Sequence, residues 1–334
     1  MPSDKLEYLM IKDPHFSFSF RNNIRKAGWE RAIDDKLTQI IDYALLNQIS
    51  SILFTGDVFE KSKRRDWSFA QFQANKKRLQ RFKDAGLVVY SNLGNHDMMD
   101  GSEDISGTVF GEMRDLGLIN YIGTGMNPYV FEVGSVRIGL FGIDHHQNQE
   151  TILEELSRIS LYPEIDYKIM LMHSNVTDTN TRLTDFTYNQ LSTYSIDIIN
   201  CGHWHLEPEG GAIQDLNGTY FLNPWNLTRV MRDYHVKLDE HKPSFIHSSI
   251  SVDNNDIQSS FKEIELRVLP FSEAFNPDII NLLQELGKDS FKFFEKISLD
   301  QDDDISDDET LIDSLAKAYD ISENSIKIAK ELLT

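Results

Sequence analysis

Five short polar stretches of this chain carry side chains able to hold a metal ion or move a proton. They are Asp13-Pro14-His15, Gly56-Asp57, Gly94-Asn95-His96-Asp97, His173, and Gly202-His203-Trp204-His205. Imidazoles, carboxylates and one amide oxygen, with no thiolate, suit manganese, iron or zinc in a reactive site better than a structural zinc. Asp13/His15 and His203/His205 are spaced two apart, so on an extended tip each pair aims at a common centre. Asp57 stands alone in its tip, as suits a carboxylate shared by two ions. Two ions ~3.5–4 Å apart form a clamp for in-line attack on phosphorus. One such histidine or one Gly-Asn-His-Asp turn is ordinary; five tips in one chain are not.

Each tip follows an apolar run. Glu7 to Ile11 reads as a strand closing at Asp13-Pro14-His15, and Pro14 fits a strand end. Ser51-Ile52-Leu53-Phe54-Thr55 is a second strand before Gly56-Asp57. Leu87-Val88-Val89-Tyr90 leads to Gly94-Asn95-His96-Asp97. Trp29, Ile33, Leu37, Ile40, Ile41 and Leu45 recur at helical spacing between the first two. Residues 67–85, with Phe69, Phe72, Leu79 and Phe82, read as a helix between the next two. This β-α-β-α-β order predicts parallel pairing with helices on the faces, and chemistry at the C-terminal strand edge. Further on, short strands are expected at 118–122, 128–133 and 136–143, a helix at 149–159, and a strand from Tyr167 ending at His173. A helix near 187–193 then precedes a strand at 196–200 that ends in Cys201-Gly202-His203-Trp204-His205. Thr219-Tyr220-Phe221-Leu222 is followed by Asn223-Pro224-Trp225-Asn226. Residues 236–258 show no pattern and place a boundary near 240; 261–269 reads as a strand and 272–298 as broken helix. Residues 300–308 form an acidic linker before two short amphipathic helical stretches within 306–334.

The chain of 334 residues suits one large domain with an appendage. No stretch reaches the ~18–20 apolar residues of a membrane span, and Met1-Pro2-Ser3-Asp4-Lys5 lacks a signal-peptide core. One cysteine, Cys201, leaves no internal disulfide and points to a reducing, cytosolic setting. The net charge of -20 argues against a nucleic-acid partner until its distribution is read. Residues 1–90 hold 16 Lys and Arg against 11 Asp and Glu, a net of +5, and the remainder carries -25. The basic cluster Lys61, Lys63, Arg64 and Arg65 is either a solvated face or a local phosphate-binding surface.

The order Asp-x-His, Gly-Asp, Gly-Asn-His-Asp, His, Gly-His-x-His over residues 13–205 resembles the calcineurin-like metallophosphoesterases. Within them the chain looks most like the SbcD-type nuclease subunit of double-strand-break repair complexes, in phage-like form. Its length, Phe59 after Gly-Asp-Val, and Asn223-Pro224-Trp225 carry that finer resemblance. The resemblance implies an α/β fold: a four-layer αββα sandwich, two mixed sheets flanked by helices, with a C-terminal cap and helical tail. The domains would be 1–240 for the nuclease, 241–299 for the cap, and 300–334 for the linker and helix-loop-helix tail. It implies two divalent ions, manganese foremost. Asp13, His15, Asp57 and His205 would hold one; Asp57, Asn95, His173 and His203 the other. His96 would contact the scissile phosphate and assist the leaving oxygen, with Asp97 orienting it. The implied activity is DNA exonuclease and endonuclease action in end processing, recombination and repair. The implied partners are double-stranded ends and single strands of DNA and an SbcC-type SMC-like ABC ATPase. A homodimer within that complex, and the cytoplasm (of a bacterial host, for a phage protein), are implied as well.

Two departures stand out. Archaeal and eukaryotic nucleases of this type carry a second histidine three residues after the shared Asp, where this chain has Glu60. His173-Ser174 replaces the family's His-Gly. Asp144-His145-His146 matches no family ligand and reads as a plain loop or a substrate contact. Two other readings remain. One is a small-molecule or nucleotide phosphodiesterase or phosphatase, though Phe59-Glu60-Lys61 stands where protein phosphatases carry Asp-Arg-Gly. The other is a DNA-end-binding subunit without catalysis, against which the intact ligand set argues.

Overall fold

The computed structural model describes residues 5–17, 28–99, 104–146, 148–178, 184–205, 210–228, 242–253 and 256–274. The chain divides into two compact units, one of residues 1–17 and 33–268, the other of 18–32 and 269–334.

The first unit is built on two six-stranded mixed sheets. Sheet one joins β1 (Lys5–Ile11), β2 (Ser51–Phe54), β3 (Val88–Ser91) and β4 (Asn120–Tyr121) in parallel. Sheet two contains β5 (Tyr129–Val133), β6 (Val136–Ile143) and β7 (Tyr167–His173), continued below. A small parallel pair, β8 (Val176–Thr177) and β9 (Phe186–Thr187), stands apart. β10 (Ile198–Gly202), β11 (Ile213–Leu216) and β12 (Thr219–Leu222) complete sheet two in the order β11-β12-β10-β7-β6-β5. β13 (Ser244–Asp253) and β14 (Asp256–Glu265) form a hairpin whose first strand lies antiparallel to β1, so sheet one runs β14-β13-β1-β2-β3-β4.

The two-residue period of the strands sorts the core. Tyr8, Met10, Leu53, Ile246 and Ile250 of sheet one meet Ile138, Leu140, Ile169, Leu171, Ile198 and Leu222 of sheet two. Their neighbours in sequence face outward onto helices. Phe141, Met170, Met172 and Ile199 pack on Ile152, Leu156 and Ile159 of α4 (Gln149–Ser160). On sheet one, Phe54 meets Phe82 of α2 (Phe69–Asp84) edge-on, and Tyr43 of α1 (Gly28–Leu46) meets Phe245. Ser68 and Gln71 close α2 with a reciprocal capping box. Short helices α3 (Val109–Asp115) and α5 (Tyr188–Leu191) fill the connections. This is the mixed α/β arrangement of two sheets flanked by helices that the sequence implies.

Residues 244–265, which the sequence reading set beyond the boundary at 240, are strands of sheet one. β13 escaped detection because Ser248, buried at 0% exposure, interrupts the apolar face that Ile246, Ile250 and Val252 share. β11 was likewise unanticipated; its residues Ile213–Leu216 are at most half-buried and alternate weakly. In the second unit, Arg31 of α1 pairs with Glu273 of α6 (Phe271–Ala274). The remaining expectations for 272–298 and for the tail at 300–334 lie outside the described residues.

Candidate metal centre

All five tips emerge at C-terminal strand ends, of β1, β2 and β3 in sheet one and of β7 and β10 in sheet two. Parallel pairing of β1 with β2 and β2 with β3, and of β7 with β10, brings the ends within each sheet side by side. Close approach between the loops needs missing side chains. A Cβ on Gly94 would strike the Asp57 carboxylate, and one on Gly202 would strike the Thr55 carbonyl.

Asp13, His15, Asp57 and His203 all hold positive φ, at 39°, 43°, 45° and 82°. For residues other than glycine this is an uncommon and strained backbone. Asp13 and His15 therefore converge through left-handed turns, not through the extended alternation expected of their spacing. The strain is held by backbone bonds: His15 N–H donates to Asp57 O at 2.9 Å and Phe16 N–H to Val58 O at 2.8 Å. His203 N–H donates to Asp13 Oδ2 at 2.8 Å, joining the two sheets.

The donor atoms fall into two groups that share Asp57. His15, Asp57 and His205 form one, and Asp57, His173 and His203 the other, with the atoms of each within 4.8 Å of one another. His15 Nε2 lies 3.1 Å from His205 Nε2 and 3.5 Å from Asp57 Oδ2. His173 Nε2 lies 3.3 Å from Asp57 Oδ2, 3.3 Å from Asn95 Oδ1 and 3.2 Å from His203 Nδ1. Asp13 Oδ2 is 3.8 Å from His205 Nε2. The structure thus gathers all seven residues named from sequence as ligands.

His96 stands beside them. Its N–H donates to Asp57 Oδ1 at 2.8 Å, and its ring Nδ1 lies 2.9 Å from the Glu60 carbonyl. Sequence placed Asp97 behind His96. Its carboxylate instead accepts the N–H groups of Val58, Phe59 and Gly94, each at 3.1 Å, and it is the Glu60 carbonyl that holds the His96 ring. Asp97 therefore ties the Asp57 loop to the Gly94 turn. The reason is local: three amides converge where both turns pass, and a buried carboxylate answers all three.

Charge follows from burial. Burial opposes the Asp57 carboxylate, but the imidazoles of His173, His96 and His15 more than offset it and hold its pKa well below the usual range. Burial also lowers His173, yet Asp57, by charge and by hydrogen bond, overrides it and sets that pKa at about 9. Burial, with His173 beside it, brings His203 down to about 2. Burial and the Asp57 charge push Asp97 up to about 7 against the pull of its three amides.

Three residues that sequence left open now have places. Glu60 Oε2 lies 3.0 Å from His15 Nδ1. The Asp144 carboxylate accepts from Leu93 N–H at 2.7 Å, Tyr121 O–H at 2.7 Å and Thr124 N–H at 3.1 Å, strapping the end of β6 to the loop that carries Asn95. His145 packs its ring 5.0 Å from that of His203. Only the polar triplet after a strand signalled these two. The Asn223-Pro224-Trp225 segment braces the Asp13 loop from behind: buried Lys12 donates to Asn223 Oδ1 at 2.5 Å, and Thr228 Oγ1 to Pro14 O at 3.1 Å.

The sequence pattern of the calcineurin-like phosphoesterases matches residues 13–207, which span every tip just described. The chain belongs to the calcineurin-like phosphoesterase family. Two curated relatives are the DNA double-strand break repair protein Mre11 of Sulfurisphaera tokodaii and that of Sulfolobus acidocaldarius. The first is 25% identical over 233 residues, 64% of this chain and 54% of the relative. The second is 24% identical over 173 residues, 51% of this chain and 42% of the relative. The chain thus spans about half the length of the curated relatives it matches. Similar solved structures include GAP50, the anchor in the inner membrane complex of Plasmodium, with a TM-score of 0.43 at 12% identity over 80% of this chain and 90% of that one. A dimetal phosphatase from Danio rerio gives 0.41 at 12% identity over 79% and 99%. Among the described residues no helix is long and apolar enough to cross a membrane.

Calcineurin-like phosphoesterases use a dinuclear metal site, and the donor set here fits one. His173 Nδ1 lies 2.6 Å from the Thr55 carbonyl, which takes its N–H and turns Nε2 to the site. Nε2 faces Asp57 Oδ2 and Asn95 Oδ1, both acceptors, a place that a proton fills in the metal-free chain and that suits an ion. Ligands ~2.0–2.1 Å from one ion lie about 3.0–3.4 Å apart, which is the spacing of His15 from His205 and of His173 from His203.

Proposed function

We propose that this phosphoesterase is a metal-dependent DNA exonuclease and endonuclease that hydrolyses phosphodiester bonds at DNA ends. The observation that carries the reading is its likeness to two curated proteins, both of DNA double-strand break repair, over 64% and 51% of this chain. In this reading Asp13, His15, Asp57 and His205 hold one ion, and Asp57, Asn95, His173 and His203 the other, manganese in both places. The ions, when bound, supply the positive charge that binds phosphate and lowers the pKa of water. The rest falls to the chain. Asp57 sits between the groups and fixes their separation. His96, held at Nδ1 by the Glu60 carbonyl, keeps its other nitrogen for the scissile phosphate and, as the doubly protonated imidazolium, gives the Nε2 proton to the leaving oxygen. Asp97 fixes the loops bearing Asp57 and His96.

A cavity of about 480 Å³ lined by Lys63, Arg64, Arg65, Met99 and Gly107 supports a nucleic-acid substrate. Arg64 is partly committed: its guanidinium lies 4.1 Å over Phe72 and 3.6 Å from Glu112. Arg65, with a 79% exposed side chain, is the stronger candidate for phosphate. Lys61 and Lys63 flank it. Neutralising Lys63, Arg64 and Arg65 together should weaken DNA binding and flatten its salt dependence, by ~0.9 in log–log slope for each phosphate no longer neutralised. An unchanged slope returns the cluster to a solvated face.

The reading extends to an SbcC-type SMC-like ATPase as partner, with the 300–334 tail as its docking segment, a homodimer within that complex, and a cytoplasmic setting. The deciding assay uses purified protein with manganese on linear duplex DNA and on a chromogenic phosphodiester, with chelator as control. Manganese-dependent loss of DNA is expected. Cleavage of the chromogenic ester alone would make the substrate a small phosphodiester, and no cleavage of either would end the reading.

A further inference from the structure

We propose that His145 is a substrate-contact residue: its imidazole, beside the ion group of Asp57, His173 and His203, donates a hydrogen bond to a phosphate oxygen held there. The inference rests on the two-ion reading of the site and is independent of whether the phosphate belongs to DNA. It gives a task to a histidine that matches no family ligand.

The loop that carries His145 is fixed on both sides. Asp144 holds Leu93, Tyr121 and Thr124 through its carboxylate, and its own N–H donates to Thr124 Oγ1 at 3.0 Å. His145 N–H donates at 3.0 Å to the carbonyl of Leu93, in the loop that leads to Asn95. His146 Nε2 lies 2.8 Å from Thr124 Oγ1. The side chains of Asp144 and His146 are thus engaged in holding the loop. That of His145 turns to the metal centre. Its ring stands 5.0 Å from that of His203, tilted by 38°, and 5.9 Å from that of His173, edge-on.

Among the described residues, no group of three or more clustered donor atoms includes His145, so it stands next to the ion position and not on it. Its ring approaches the His173 backbone but closes no hydrogen bond there, and Nδ1 is shut off from solvent. Nothing therefore keeps the proton of the neutral ring on Nδ1, and Nε2 can carry it to a ligand. A ring that only packed on His203 would need no nitrogen, and a buried, unbonded one costs free energy that a phenyl ring would not. A polar group left in that state beside a reactive centre is accounted for by what it binds. The site is also flanked evenly. His96 lies 5.0 Å from His15, ring to ring, as His145 lies from His203, and both imidazoles are outside the two donor groups that share Asp57. A phosphate seated across those groups meets an imidazole on either side, and a hydrogen bond to its charged oxygens is a strong one.

The test is calorimetric binding of inorganic phosphate to the manganese-loaded whole chain, with bound ions counted by loss of the free-manganese electron paramagnetic resonance signal. Wild type should hold two ions and bind phosphate. His145→Ala and His145→Phe should keep both ions and bind phosphate about 10- to 100-fold more weakly, as for one lost hydrogen bond to a charged group. His145→Gln, which keeps an N–H donor, should recover part of that loss, a rescue that a merely structural role would not show. Phosphate bound by His145→Phe as tightly as by wild type would make the residue a packing ring and overturn the proposal. An ion lost by His145→Phe would make it a ligand and overturn it too. Wild type that takes up no manganese would sink the two-ion reading and this inference together. Two ions with equal phosphate binding in all four forms would sink this inference alone.

Discussion

The two sheet edges that meet at the site make unequal contributions. The edge of sheet one provides every oxygen donor, Asp13, Asp57 and Asn95, together with His15 and His96. The edge of sheet two provides imidazoles alone, His173, His203 and His205. The first edge is also self-supporting: its loops bond to one another through His15 to Asp57, Phe16 to Val58, and Asp97 to Val58, Phe59 and Gly94. The second takes its orientation from the first, through His173 to the Thr55 carbonyl and His203 N–H to Asp13. One sheet is the template and the other closes on it. Asp57, which both donor groups share, should therefore govern both ion positions, and a residue of the second edge only its own.

Asp57 offers the sharpest way to break that comparison. Asp57→Ala should lose both ions and all hydrolysis, whereas His203→Ala should lose one ion of two. Metal content of the two purified variants measures this. One ion retained by Asp57→Ala would mean that the groups do not share it.

His96 belongs to the first edge yet stands outside both donor groups that share Asp57. His96→Ala should cut hydrolysis by about 10²–10⁴-fold and leave both ions bound. Loss of an ion would move His96 among the ligands.

Asp144 tests the seam between the edges, because it reaches from β6 to Leu93, Tyr121 and Thr124. Asp144→Ala takes this acceptor from the buried Leu93 N–H and from the half-buried Tyr121 and Thr124 donors. With each unsatisfied group costing ~1–3 kcal/mol, denaturant unfolding should show a loss of about 3 kcal/mol. Asp144→Asn, which keeps one acceptor, should lose less. Equal stability of all three forms would mean that other contacts carry the seam.

The smallest effect is a proton. Metal-free His173, with its pKa at about 9, is protonated at pH 7.5, and an ion at Nε2 must displace that proton. His203, at about 2, has none to give. Calorimetry in two buffers of different ionisation heat should show release of about one proton at pH 7.5 from this histidine. Release should fade above pH 9, where the proton has already left, so affinity rises with pH up to that point and then levels. Absence of release at pH 7.5 would mean that Asp57 does not hold a proton on His173.

The sequence by itself determined the strands that carry the tips, the helices between the first three, and the donor residues at their ends. Apolar runs of four to seven residues closed by Gly-Asp, Gly-Asn-His-Asp or Gly-His-x-His are local signals, and the pleat fixes which side chains share a face. The tertiary structure alone decided how those ends meet. It placed β13 beside β1 although Ser248 breaks its apolar face, because an antiparallel partner and a buried serine need no periodic pattern. It replaced the extended tips expected at Asp13/His15 with left-handed turns, whose strain only the surrounding backbone bonds can hold. It turned Asp97 away from His96 and onto three amides, and set Glu60 behind His15. Each of these depends on atoms brought together from different strand ends, and the contacts between the sheets join residues as far apart as 211 positions. Local pattern names such residues, but their partners are chosen only when the two sheets close over a shared core.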